Sequence, residues 1–249
     1  MERLRRGLVL VALAAAYVVK RDGRLLWAGA ADQRLQPASL AKLMTALIAM
    51  ERGALEQIVV VSRGASRETG SRIGLKAGEN LRMRDLLAAM AIRSANDACR
   101  ALADHLDKTT AGFVAQMNQR AANLGMRDTR FLDPCGHDRE GQYSTAADLA
   151  RLAERVMQHD EYLRLARLRR AVITSVGGGR KISFHNTNAL LGRYDGAIGL
   201  KTGFTGRAGN CLVALAERDG VRVLAVLLNA PNRWWNAVGL LDRAFAAPR

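Results

Sequence analysis

Three short runs of residues could do chemistry together, and each occurs once in the chain. The first is Ser39-Leu-Ala-Lys42, which follows Gln36-Pro37-Ala38 and opens an apolar stretch to Met50. A proline just before such a stretch marks a helix start. Positions i and i+3 share a helix face, so the spacing predicts an ammonium standing over a hydroxyl. A serine hydroxyl is a weak nucleophile until a base takes its proton. A lysine serves as that base once burial or a nearby cation depresses its pKa. The second run is Ser94-Ala-Asn96, at the break between two expected helices, where a hydroxyl can relay a proton and an amide can anchor a substrate amide and the lysine. The third is Lys201-Thr-Gly203, at the end of an expected strand. Lys201 adds a second positive charge, Thr202 a hydrogen bond to a carboxylate or amide, and Gly203 room for a substrate backbone at the strand edge.

Alone, each run reads as a cap, a turn or a strand end. All three in this order arise by chance at roughly one in a thousand or less. The order therefore points to an acyl-transfer site with Ser39 as nucleophile and Lys42 as base.

The elements that must position these residues follow from the pattern. Tyr17–Trp27 reads as a hairpin turning at Asp22-Gly23. A short strand at 57–63 precedes a turn-rich segment from Gly70 to Asn80, and helices are expected over 83–93, 95–106, 110–124 and 144–158. A hairpin around Gly177–Gly179 is followed by strands at 197–202, 210–217 and 221–229, the last two joined at Asp219-Gly220, and by a closing helix at 234–246. Strands at both ends and helices between them are not the alternation of a parallel sheet. The expected fold is α+β, a mostly antiparallel sheet built from both chain ends with a helical insertion.

Composition narrows the function further. The 249 residues carry a net charge of +15, from 32 Arg and 6 Lys against 23 acidic side chains. That charge suggests an anionic surrounding, but it is spread along the chain, its densest cluster being Arg164, Arg167, Arg169 and Arg170. Aromatics are only 5%, and no nucleic-acid motif accompanies the charge, so specific nucleic-acid recognition is not expected. The cysteines Cys99, Cys135 and Cys211 are far apart and odd in number, and are read as thiols without catalytic consequence rather than a disulfide scaffold or a zinc site. The four histidines are scattered, and no metal is expected.

Residues 1–16 read as a secretory leader. Arg3, Arg5 and Arg6 precede a run of 13 apolar or small residues, Gly7–Val19, with Ala14 and Ala16 as small residues for cleavage before Tyr17. The run is shorter than the roughly 20 residues of a spanning helix, although it overlaps the first expected strand. An exported protein, in the periplasm or at the outer face of the cytoplasmic membrane, is the expectation.

The chain resembles the D-alanyl-D-alanine carboxypeptidases, low-molecular-mass penicillin-binding proteins, over nearly all of Tyr17–Phe245. The resemblance rests on Pro37-Ala-Ser-Leu-Ala-Lys-Leu-Met-Thr45, Ser94-Ala-Asn-Asp-Ala98, Leu124-Gly-Met-Arg-Asp-Thr-Arg-Phe131, Tyr143-Ser-Thr-Ala-Ala-Asp148 and Gly199-Leu-Lys-Thr-Gly-Phe-Thr205. It implies a serine β-lactamase/D,D-peptidase-like sandwich. It also implies acylation of Ser39 by the penultimate D-Ala of a peptidoglycan stem peptide, with Lys42 as base and Ser94, Asn96 and Lys201 completing the proton network. The backbone amides of Ser39 and Phe204 would form the oxyanion hole. Thr202, Gly203, Phe204 and Thr205 would line the substrate, β-lactams would trap the acyl-enzyme, and no cofactor is implied. Related enzymes place an Arg before a Leu-Leu pair to hold the terminal carboxylate, as Arg233 stands before Leu240-Leu241. Many relatives carry a C-terminal β domain and an amphipathic membrane helix. Here a single domain over 17–249 is expected, with peripheral membrane association or none. A D,D-endopeptidase that cuts cross-links is the alternative activity.

Overall fold

The computed structural model describes residues 14–248, so the leader assigned to 1–16 lies almost wholly outside the described residues. The central sheet has five antiparallel strands in the order β2-β1-β9-β8-β7: β1 is Ala16–Arg21, β2 Arg24–Gly29, β7 Ala197–Thr205, β8 Gly209–Arg218 and β9 Val221–Leu228. The two ends of the chain meet where Ala16 pairs with Leu228 and Arg21 with Val223. Both expected Asp-Gly hairpins form. Asp22 and Gly23 have φ of 49° and 80°, and Asp219 and Gly220 49° and 74°, the left-handed pair that matches the twist of antiparallel strands. Strand β7 is an edge, which leaves its outer rim free for a ligand.

One face of this sheet packs on the helical insertion. Its centre is α1 (Lys42–Arg52), buried without interruption from Lys42 to Met50, as befits a helix surrounded by protein. Around it stand α2 (Arg63–Ser66), α3 (Met83–Ile92), α4 (Asn96–Leu106), α5 (Thr110–Asn123), α6 (Ala146–Val156) and α7 (Asp160–Ala166). The strands β3 (Ile58–Val60) and β4 (Asn80–Arg82) pair with each other, as do β5 (Arg170–Thr174) and β6 (Lys181–His185). The other face of the sheet is closed by α8 (Arg233–Ala246), whose Ala237, Leu240, Leu241 and Ala244 join Val19, Leu212, Ala214, Ala225 and Leu227 in a second core. The α+β sandwich read from the sequence is thus the observed one.

Two expectations are corrected. Ser39 does not lie in an α-helix: residues Ala38–Ala41 form a 3₁₀ turn, and the α-helix begins at Lys42. The tighter turn eclipses positions i and i+3, so it serves the Ser39–Lys42 pairing at least as well. Nor are the three cysteines all thiols. Cys99 and Cys135 are joined as a disulfide with Cα atoms 5.8 Å apart, and Cys211 is a buried free thiol. A separation of 36 residues hides that pair from any reading of spacing.

Candidate active site

The three runs meet at the rim of β7. Lys42 leaves the first residue of α1 and donates to Ser39 Oγ at 3.0 Å, to Asn96 Oδ1 at 2.7 Å and to the carbonyl of Cys135. Its side chain is buried. Burial is the main cause that lowers its pKa, partly offset by the carboxylates of Asp133 and Glu68, and leaves it at about 7. A large fraction of Lys42 is therefore a neutral amine at neutral pH, hydrogen-bonded to the hydroxyl it would deprotonate.

Ser94 and Lys201 form the opposite wall. Lys201 Nζ donates to Ser94 Oγ at 2.7 Å and to the Thr202 carbonyl at 2.9 Å. It is as buried as Lys42, and its pKa is pushed well down by burial first, then by the charges of Lys42 and Arg233. Two lysines so close in one groove leave a deficit of negative charge that an anionic substrate would fill.

The backbone is strained where these side chains are aimed. Ala38, just before the nucleophile, has φ of 48°, and Ser94 has φ of 61°. Non-glycine residues avoid this left-handed region unless their surroundings hold them there, and such residues gather at functional sites. Ser94 sits between α3 and α4, so its turn projects the hydroxyl towards β7 rather than along either helix.

Asn96, the first residue of α4, uses both ends of its amide. Oδ1 accepts from Lys42, Nδ2 donates to the Thr69 carbonyl at 2.6 Å, and its backbone N–H donates to Ser71. Next to it, the Asp97 carboxylate accepts from the N–H groups of Ile73, Gly74 and Leu75. The segment 69–75 is thereby fixed over the helix start.

On β7, Thr202 shares a hydroxyl hydrogen bond of 2.6 Å with Thr187, and Thr205 donates to Asp138 at 2.6 Å. Gly203 is needed for close approach: a Cβ there would stand 3.1 Å from Ala38 Cβ and 3.3 Å from Ser39 N. The observed contact is thus with the nucleophile's own turn. Phe204 turns its ring to solvent. Arg233, at the start of α8, donates through Nη1 to the Gly203 carbonyl at 2.7 Å and to that of Cys211, while its guanidinium stacks 4.6 Å from the Trp234 ring. Its Nε and Nη2 donate to no acceptor among the described residues, which leaves two donor atoms of the guanidinium unused.

The site residues named from the sequence, from Ser39 and Lys42 to Arg233, therefore lie at this groove or its back wall. What the sequence reading passed over is the loop 133–137. Its Cys135 carbonyl receives Lys42, its Pro134 carbonyl receives Thr45 Oγ1 at 2.7 Å, and its disulfide reaches Cys99 in α4. A Cβ on Gly136, whose φ is 81°, would overlap the Ala38 carbonyl. A glycine between a cysteine and a histidine in a loop was the only visible signal. Among the described residues no group of three or more His, Cys, Asp or Glu side chains could hold a metal, and no helix is long and apolar enough to cross a membrane.

Comparison with known proteins gives the same picture. The family model for D-alanyl-D-alanine carboxypeptidase matches residues 10–232. D-alanyl-D-alanine carboxypeptidase DacF of Bacillus subtilis is 34% identical over 241 residues, covering 93% of this chain and 62% of its own. DacB2 of Mycobacterium tuberculosis is 33% identical over 218 residues, 84% of this chain and 74% of its own. The crystal structure of the Streptomyces K15 DD-transpeptidase superposes with a TM-score of 0.89 at 29% identity, covering 94% of this chain and 98% of that one. The chain spans 62%, 54% and 56% of three of the curated relatives it matches.

Proposed function

Because the chain belongs to the D-alanyl-D-alanine carboxypeptidase family, we propose that it removes the terminal D-Ala from peptidoglycan stem peptides through an acyl-enzyme on Ser39. The observation that carries this reading is the hydrogen bond from Lys42, a lysine with a pKa of about 7, to Ser39 Oγ.

The groove supports each step with this chain's own groups. Neutral Lys42 takes the Ser39 proton as Oγ bonds to the penultimate D-Ala carbonyl carbon. The resulting oxyanion is received by the amides of Ser39 and Phe204. The amide C–N bond then breaks as Ser94, held by Lys201, passes its proton to the departing nitrogen, and the proton that Lys42 took from Ser39 replaces it on Ser94, leaving Lys42 neutral again. Water then attacks the ester carbon as its proton passes through Ser94 to neutral Lys42, and Lys42 gives a proton to Ser39 Oγ as the ester bond breaks. Thr202 and Arg233 hold the free carboxylate of the terminal D-Ala, and the two unused donors of Arg233 favour a substrate that ends in a carboxylate over an internal cross-link. β-Lactams, which carry a carboxylate and a strained amide, would acylate Ser39 and block it. A peptidoglycan substrate supports an exported enzyme, in the periplasm or at the outer face of the cytoplasmic membrane, with residues 1–16 read as its leader.

The test is an assay of purified protein on a pentapeptide monomer and on a cross-linked dimer, with labelled penicillin as a trap. Release of D-Ala from the monomer and a label on Ser39 are expected. Faster cleavage of the dimer would make the enzyme an endopeptidase instead.

A further inference from the structure

Beside Thr187, the hydrogen-bond partner of Thr202, lies a cleft of about 530 Å³ whose wall is cationic. Three separate stretches build it. Arg169 and Arg170 lead into β5, the segment His185–Ala189 runs on from the last residue of β6, and Arg193 stands in the turn before β7. Arg170 and His185 are cross-strand partners, so their side chains share one face. No aspartate or glutamate lines the cleft. Among the described residues, no carboxylate pairs with Arg169, Arg170 or Arg193, so the charge of the wall is not neutralised from within.

The cleft is built on fixed groups. The Arg169 guanidinium lies over Gly192, where a Cβ would stand 3.2 Å from it. The Arg169 carbonyl accepts the Asn186 N–H at 2.8 Å, and Asn186 Nδ2 donates to the Leu168 carbonyl at 2.9 Å. Asn188 is only 6% exposed, its Oδ1 accepts from Leu190 N, and its Nδ2 has no partner. The wall adjoins the reacting centre at one point, where Thr187, which lines the cleft, bonds Thr202 on β7.

We propose that this cleft is an anion subsite that takes carboxylate groups of a second stem peptide, carried by substrate that extends past Thr202. The proposal rests on the reading of the groove as a D,D-peptidase site. Guanidinium groups suit carboxylates as two-pronged donors, and the contact with β7 favours substrate over an unrelated polyanion. The cleft would thus let one site distinguish a cross-linked or strand-bound peptide from a small one.

The test uses the full chain carrying Ser39→Ala, so that binding is read without turnover, against the same chain with Arg169→Ala and Arg193→Ala added. Calorimetry with a cross-linked muropeptide dimer should show a loss of roughly tenfold or more in affinity when Arg169 and Arg193 are replaced by alanine, as expected for lost charge-assisted contacts. The loss should shrink as salt rises. Binding of a short neutral-blocked peptide ending in D-Ala-D-Ala should change less than about twofold. Penicillin acylation of an Arg169→Ala, Arg193→Ala chain with Ser39 intact should be unchanged, which also shows that the variant folds. Unchanged affinity for the dimer, or equal losses for both peptides, overturns the proposal. So does loss confined to a polyglycerol phosphate probe, which would mark the cleft as a polyanion surface. If Ser39 takes no penicillin and releases no D-Ala, yet dimer binding still falls in the variant, the reaction assigned above fails and the subsite stands.

Discussion

The two walls of the groove bury a lysine each, and the pair differ in what surrounds them. Lys42 has three acceptors, Ser39 Oγ, Asn96 Oδ1 and the Cys135 carbonyl, and feels two carboxylates, Asp133 and Glu68. Lys201 has two acceptors, Ser94 Oγ and its neighbour's carbonyl, and feels two cations. Burial lowers both, but the charges nearby pull Lys42 back to about 7 and push Lys201 further down. One wall is therefore poised to exchange a proton near neutrality. The other waits for an anion, since a substrate carboxylate beside Lys201 would raise its pKa and restore its charge.

The largest expected effect comes from removing what only the Lys42 wall contains. Ser39→Ala should abolish penicillin labelling and lower D-Ala release on the order of 10⁴-fold or more, as when a nucleophile is removed. Labelling that survives would put the nucleophile elsewhere.

Exchange of the two lysines for arginine separates the walls next. Arginine keeps charge but does not deprotonate in a protein, so Lys42→Arg should cost about 10²–10⁴-fold in acylation, the usual range for a lost general base. Lys201→Arg should cost less. Acylation by the intact enzyme should rise with pH through about 7, because the protonated amine below that value accepts no proton. Binding of an anionic β-lactam to Ser39→Ala should take up protons at neutral pH, read by calorimetry in buffers of different ionisation enthalpy. Equal losses in the two variants, or no proton uptake, would erase the distinction.

Much of this groove was legible in the sequence because its parts are local. Ser39 and Lys42 are three apart, Ser94 and Asn96 two apart, and Asp22-Gly23 and Asp219-Gly220 carry their turn chemistry in two residues. The contacts that tune the site are long-range. The bond from Lys42 to the Cys135 carbonyl spans 93 residues, and the Cys99–Cys135 link 36. A backbone carbonyl carries no residue signature, and neither does a strained φ at Ser94. The 3₁₀ turn at Ala38–Ala41 has the same composition as a first helical turn. It is imposed by packing on β7, where Gly203 admits Ala38 and Ser39.

Arg233 sharpens the Lys201 side. Its guanidinium rests on the Gly203 and Cys211 carbonyls and adds to the charge that depresses Lys201. Arg233→Ala should lower kcat/KM for a peptide with a free C-terminal carboxylate by about 1.5–3 kcal/mol, roughly 10- to 150-fold. A C-terminally amidated substrate should hardly respond. Equal losses on both substrates would mean that the arginine only supports β7.

The smallest kinetic effect should come from the disulfide behind Lys42. Cys99 lies one turn beyond Asn96 in α4, and Cys135 supplies the carbonyl that Lys42 meets, so the link ties two of the three acceptors together. The closed loop restrains the unfolded chain, and Cys99→Ala should cost about 2–4 kcal/mol of stability, seen in the denaturant midpoint. Loosening the loop weakens an acceptor that favours the charged amine, so the pKa of Lys42 falls. The acylation profile of the variant should then shift to lower pH than about 7, with less than about a tenfold change in its plateau. Dithiothreitol, which reduces the disulfide to two thiols as it is itself oxidised, should reproduce the shift in the native protein and not in the variant. A stability loss with an unmoved profile would show that the disulfide only fastens the fold and does not tune Lys42.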